Sequence, residues 1–172
     1  MLQKFSKEDF DQLYSILVQS FPPDELRSRQ EHRELLEKPG YQAWAYYEQQ
    51  ELIGFLSVWD FPELAFVEHF AVKGCCRNKG VGSRMLQELS ALVGKRLCLE
   101  AEKPDTPLAR RRLDFYRRNG FSVNAYPYTQ PPMELGKNPV DMHLLTTRGP
   151  VDAYDFQQIV ELLYGVVYQG KS

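Results

Sequence analysis

The segment Val72-Lys73-Gly74-Cys75-Cys76-Arg77-Asn78-Lys79-Gly80-Val81-Gly82-Ser83 carries residue types that can hold a phosphate. Gly80 and Gly82 have no side chain to keep a ligand away from the main chain. A helix beginning here adds the partial positive charge of its first N–H groups. A Walker-type loop would close on Gly-Lys-Ser/Thr, and this one does not. A dinucleotide fingerprint would need Gly or Ala at position 85, where Met85 stands. For the two glycines alone, a turn that binds nothing is the alternative. A second candidate, Phe115-Tyr116-Arg117-Arg118-Asn119-Gly120-Phe121, reads as a helix ending on a C′ glycine. Phe115 would pack in the core. Tyr116, about 100° further round the helix, either presents its phenol to a cleft or serves packing alone.

These residues need elements to position them. Ser6 is a predicted N-cap, and Phe10, Leu13, Tyr14 and Leu17 follow at helical spacing until Pro22-Pro23. A second, polar helix is predicted from Asp24 to Glu37. Strands follow over 42–48 and 52–59, joined by Gln49-Gln50-Glu51 as a hairpin, and over 66–72. Beyond Gly82 the period turns helical, with Met85, Leu86 and Leu89 in one stripe that Gly94 closes. A strand over 96–101, a helix over 108–119, strands over 121–128 and 140–147, and a last helix from Asp152 to Tyr168 complete the chain. That order predicts an α/β (α+β) single domain: a mixed, mostly antiparallel sheet with helices on both faces.

Composition removes several classes of function. The chain has 172 residues, 43% of them apolar and 26% charged, enough to bury a core and too apolar for disorder. Lys+Arg number 21 and Asp+Glu 23, a net charge of −2, where a nucleic-acid binder carries a basic excess. No apolar run approaches the roughly 20 residues that cross a bilayer, and the first ten residues have no apolar stretch of a signal peptide. Three cysteines, two of them adjacent, fit a reducing, cytoplasmic setting. Adjacent Cys75 and Cys76 lack zinc-ligand spacing, so no metal is expected.

Taken together, the two motifs resemble the GNAT superfamily of acetyl-CoA-dependent N-acetyltransferases. The family's phosphate loop, Arg/Gln-x-x-Gly-x-Gly/Ala, is matched by Arg77-Asn78-Lys79-Gly80-Val81-Gly82, after a strand ending Phe70-Ala71-Val72. Its later helix ends aromatic-Tyr-x-x-x-Gly-Phe, matched by Phe115 to Phe121. The resemblance covers residues 1–147 as the acetyltransferase domain, with 148–172 as a helical extension packed on it. It implies that main-chain N–H groups from Arg77, Asn78, Lys79, Gly80, Val81, Gly82 and Ser83 hold the pyrophosphate of coenzyme A. Phe70, Ala71 and Val72 would pair with the pantetheine arm, on a strand splayed from a parallel one at 96–101. Tyr116 would lie near the sulfur and protonate the leaving thiolate. Where many members carry Asn, seven residues before this Tyr, the chain has Ala109, and Arg112 replaces a small residue. Arg112 is the candidate for a coenzyme A phosphate.

An acceptor amine is protonated at neutral pH and must lose a proton before attacking a thioester. Glu68 is the candidate base, directly or through water. Strand alternation places it with Phe66 and Phe70 and puts His69 on the opposite face, in a structural role. Among such neighbours a carboxylate is partly desolvated, which favours taking up a proton. Glu100 and Glu102 are weaker candidates. Asp24, Glu25, Asp60, Glu63 and Glu68 would make an acidic pocket for a cationic amine if they converge. The expected activity is acetyl transfer from acetyl-CoA to a primary amine of a small molecule or peptide, with neither membrane nor nucleic acid as partner; a homodimer is compatible with the sequence. Two rivals stand beside it: an acyl-CoA-binding module without catalysis, and a nucleic-acid binder using Arg110-Arg111-Arg112, Arg117 and Arg118.

Overall fold

Strand β3 (Glu51–Asp60) is buried continuously from Leu52 to Trp59, the pattern of a central strand with both faces covered. It lies in the first of two compact units of the computed structural model, which describes residues 1–169; the units are Met1–Lys95 and a second beginning at Arg96. In the first, β1 (Leu2–Lys4), β2 (Tyr41–Glu48), β3 and β4 (Leu64–Val72) pair antiparallel in that order. Three helices accompany them: α1 (Phe10–Ser20), α2 (Arg29–Leu35) and α3 (Val81–Val93). On one face Phe55 and Ala71 pack with Leu13, Ile16 and Leu17 of α1 and with Leu26. On the other, Gly54 lets α3 approach: a Cβ there would lie 2.9 Å from Met85 Sδ. β1, too short and polar to show in the pattern, was not expected.

The predicted helix 24–37 is two pieces. A single 3-10 turn, Pro23–Glu25, is followed by an extended link and then by α2, capped by Ser28, whose Oγ accepts from the Glu31 N–H at 3.2 Å. A serine that satisfies a helix's first donors starts a helix rather than continuing one. The link buries Leu26 and, against expectation for a polar segment, Arg27.

The second unit holds β5 (Arg96–Glu102), α4 (Pro107–Arg118), β6 (Phe121–Val123), β7 (Tyr128–Gln130), β8 (Val140–Thr147) and α5 (Ala153–Leu162), which runs on as one wide turn to Val167. β8 pairs antiparallel with β5 on one edge and with β6 and β7 on the other. The predicted strand 121–128 is interrupted by Asn124. Its amide donates to the Leu144 carbonyl and to Thr146 Oγ1, both at 3.1 Å, and accepts from the Val151 N–H at 2.9 Å. The Asn124 main-chain N–H still donates to the Leu144 carbonyl at 3.0 Å; the buried amide adds its bonds at the point where the ladder ends, and Pro127 has no N–H to resume it. α5 starts at the N-cap Asp152 and buries Phe156, Ile159, Leu163 and Val167. These side chains are part of this unit's buried interior; residues 170–172 of the expected extension 148–172 lie outside the described part.

Candidate active site

β4 delivers the chain to the loop expected to hold phosphate. After Val72 comes a 3-10 turn, Gly74–Cys76, and then Arg77, whose Nε–H donates to the Val72 carbonyl at 2.9 Å and straps the loop to the strand end. Asn78 and Gly80 both have positive φ, 61° and 75°. Gly80 at the N-cap of α3 offers no side-chain hydrogen bond to the helix, so no cap competes for its first N–H groups. Asn78, Lys79 and Gly80 are exposed, Gly82 and Ser83 half-buried, and Val81 is buried as the anchor. A helix start of this kind favours an anion. Phe70 and Val72 are half-buried and Ala71 is buried.

Glu68 sits at a register shift. Ser57 pairs with His69 and Val58 with Val67, leaving Glu68 as the extra residue of a β-bulge. Cross-strand partners share a face, so the bulge puts His69 on the face of Ser57, Trp59 and Phe66, and Phe70 on the other. The expected alternation is overturned here: Glu68 shares its face with Phe66 and His69, because the extra residue resets the period of two. Its carboxylate pairs with Arg27, Nη2 to Oε1 2.5 Å, with side chains 2% and 1% exposed. Trp59 Nε1–H donates to Oε2 at 3.3 Å. The residue as a whole is half-buried although its side chain is sealed, so its exposure lies in the main chain.

His69 is the neighbour that sequence reasoning set aside. Its Nε2 lies 3.1 Å from the Glu25 carbonyl, which can only accept, so Nε2 carries the proton. Nδ1 is then the acceptor, 3.5 Å from Ser57 Oγ and 4.0 Å from Glu68 Oε2. Burial lowers the His69 pKa and outweighs the opposing pull of Glu68 and the Glu25 carbonyl. The ring packs edge-on against Phe21 and His32. Burial, and next the charge of Glu68, push the Tyr41 phenol up, so it stays protonated while its ring packs on Trp59 at 5.2 Å.

The acidic pocket does not take the expected form. Glu68 is matched by Arg27, and Asp60 by Lys95 at 2.6 Å, while Glu63 is exposed. Nothing in the spacing singles out Arg27; inside one long helix it would be one charge among several.

In the second unit Tyr116 is half-buried and packs edge-on against Phe115 at 5.5 Å and Phe121 at 5.7 Å. The side chains α4 buries are Ala109 and Leu113; Phe115, expected in the core, is half-buried. Asn119 and Gly120, with φ +84°, end the helix. Arg112 pairs with Glu102 at 3.2 Å, Arg110 donates to the Pro104 carbonyl and Arg117 pairs with Asp114. Glu100 accepts from the phenols of Tyr128 and Tyr168 and from Gln130 Nε2. Burial, with the Glu100 charge second, pushes the Tyr128 phenol far up. Among the described residues no three of His, Cys, Asp and Glu are grouped to hold a metal, and no helix is long and apolar enough to cross a membrane.

Residues 39–123 match the model of the acetyltransferase (GNAT) domain, a span that contains Glu68, the phosphate loop and Tyr116. A protein of Bacteroides thetaiotaomicron assigned to the GNAT acetyltransferases is 34% identical, with a TM-score of 0.88 and 98% of each chain covered. This chain belongs to the GNAT family. The same fold recurs at lower identity. The ribosomal-protein-S18-alanine N-acetyltransferase of Escherichia coli is 16% identical, TM-score 0.67, covering 86% of this chain and 92% of its own. A GNAT acetyltransferase of Elizabethkingia anophelis, solved with acetyl-CoA bound, is 19% identical, TM-score 0.61, covering 86% and 96%. No curated protein sequence matches. In this GNAT chain, Arg77–Ser83 leads into a helix start with no side-chain cap.

Proposed function

We propose that this GNAT protein transfers the acetyl group of acetyl-CoA to the primary amine of a small molecule or peptide, by direct attack within a ternary complex in the cytoplasm. The observation that carries this reading is the uncapped, glycine-started N-terminus of α3, strapped by Arg77 directly after β4. The acetyl-CoA bound in the Elizabethkingia anophelis relative supports the donor. The alanine N-acetyltransferase activity named for the Escherichia coli relative supports an amine acceptor.

Each residue has a role suited to its surroundings. Main-chain N–H groups from Arg77 to Ser83 bind the pyrophosphate. Main-chain N–H around Phe70 to Val72 stabilises the oxyanion that develops on the thioester carbonyl. Glu68 accepts the amine proton through an intervening water, because its sealed side chain cannot touch the amine directly. Arg27 holds that carboxylate in place. Tyr116 gives a proton to the departing thiolate.

The ion pair itself favours one other reading, coenzyme A binding without turnover, since Arg27 already neutralises the base. A screen of amines, polyamines, aminoglycosides and peptide N-termini for thiol release from acetyl-CoA separates the two. Release with at least one amine class supports transfer. Tight coenzyme A binding with no release from any of them supports the binding module.

A further inference from the structure

Cysteine is ordinarily among the most buried residues, and Cys98 follows that habit: it is buried, and burial pushes its thiol far up. Cys75 and Cys76 do not. They are adjacent in the turn Gly74–Cys76, both are free thiols, Cys75 is exposed, and their sulfurs lie 3.5 Å apart. Cys75 also lines a cleft of about 600 Å³ with Gln12, Ser15 and Gln19 of α1 and Lys73, which gives a small reagent access. Neither the phosphate loop nor the proton transfers use these sulfurs.

We propose that Cys75 and Cys76 form a reversible oxidation site that exchanges with low-molecular-weight disulfides and, when closed, weakens coenzyme A binding. The Cys75 thiolate attacks one sulfur of the disulfide RSSR, forming a mixed disulfide and releasing RS⁻. The Cys76 thiolate then attacks Cys75 Sγ and expels the second RS⁻. Two protein thiols are oxidised by two electrons, RSSR is reduced to two RSH, and the two cysteine protons end on those thiols. Cys75 is the more exposed of the two and attacks first; hydrogen bonding with Cys75 raises the Cys76 thiol pKa, so Cys76 acts second.

The link to coenzyme A is mechanical and rests on the loop reading above. Adjacent residues have Cα atoms about 3.8 Å apart, less than the roughly 4.4–6.8 Å an ordinary disulfide spans. Closing the ring therefore turns the peptide between them. That peptide is held by the Cys76 N–H on the Lys73 carbonyl at 2.9 Å, and the next N–H, of Arg77, donates to the Gly74 carbonyl at 3.3 Å. Arg77 opens the phosphate loop, so ring closure displaces it.

The test uses the full-length protein, reduced and then treated with oxidised glutathione, followed by intact mass and coenzyme A titration. The expected product is lighter by two hydrogens, carries no glutathione, binds coenzyme A about fivefold or more weakly, and recovers fully with dithiothreitol. Cys75→Ser and Cys76→Ser should each bind coenzyme A like the wild type and keep that affinity after oxidant. Two persistent free thiols, a stable glutathione adduct, a disulfide-linked dimer, or a closed ring with unchanged affinity each overturn the proposal. If the reduced wild type does not bind coenzyme A, the loop reading fails and the coupling with it, while the mass still decides whether the ring forms.

Discussion

Arg27 and Glu68 form an ion pair sealed from solvent, Nη2 to Oε1 2.5 Å, although 41 residues separate them in the chain. Two elements make it: an extended link between α1 and α2 that turns Arg27 inward, and a bulge in β4 that turns Glu68 toward it. Breaking such a pair from one side leaves an uncompensated buried charge, which costs about 3–5 kcal/mol. Arg27→Met should lose stability in that range by denaturant unfolding. Arg27→Met combined with Glu68→Met should lose less than the sum of the two single changes; strict additivity would show that the pair is not coupled.

Glu68→Gln keeps the side chain's size and an oxygen for the Trp59 N–H while removing the base. Because it also removes the charge that Arg27 faces, kinetics are read on the variant shown to be folded by circular dichroism. The fall in kcat/KM should lie in the roughly 10²–10⁴ range of a general base, and part should return at high pH, where more amine is free. A pH–rate profile that keeps the wild-type shape would take Glu68 out of the proton path.

His69 gives stability a pH dependence of known sign. Its pKa falls below the ordinary imidazole value of 6.5 on folding, chiefly by burial. The unfolded chain therefore binds the proton first, and the contribution is fully present above about 6.5 and is lost as pH falls below that value through the lowered folded pKa. His143 shifts in the same direction, so comparing wild type with His69→Gln isolates the His69 share. The variant should show a flatter fall in stability between neutral and mildly acidic pH. Parallel curves would mean that His69 is not neutral in the fold.

Coenzyme A should raise the melting temperature of the wild type by mass action. Gly82→Asp places a carboxylate in the first turn of α3, against the expected pyrophosphate, and should abolish that rise while leaving the unliganded protein folded. A folded variant with wild-type affinity would move the phosphate site elsewhere.

Tyr116→Phe removes one oxygen and preserves the packing on Phe115 and Phe121. Turnover should fall at least about tenfold, within the range of a general acid, with the acetyl-CoA dissociation constant within about threefold of wild type. Rate and binding lost together would mark a structural role.

Much of the local structure could be read along the chain because local signals decide it. Gly80 and Gly94 bound α3 with positive φ, Gly120 closes α4, and the 3.6-residue stripe of Met85, Leu86 and Leu89 faces inward. The two motifs, each contained within a dozen residues, led to the family for the same reason. Sequence alone therefore settled where the glycine turn meets α3, which helix carries Tyr116, and that the sheet is mainly antiparallel.

Tertiary structure decided the surroundings of Glu68. A bulge is one residue of slip between two strands, and β4 by itself reads as unbroken alternation, so the inversion of Phe70 and His69 appears only in the register with β3. Arg27 lies far from Glu68 in sequence, and no spacing rule links a residue of an irregular segment to a strand. The same holds for Asn124, whose buried amide bonds Leu144 and Thr146 of a strand distant in sequence. Helical and strand periods are properties of neighbouring residues, whereas a buried charge finds its partner only when folding brings distant segments together and removes the water between them.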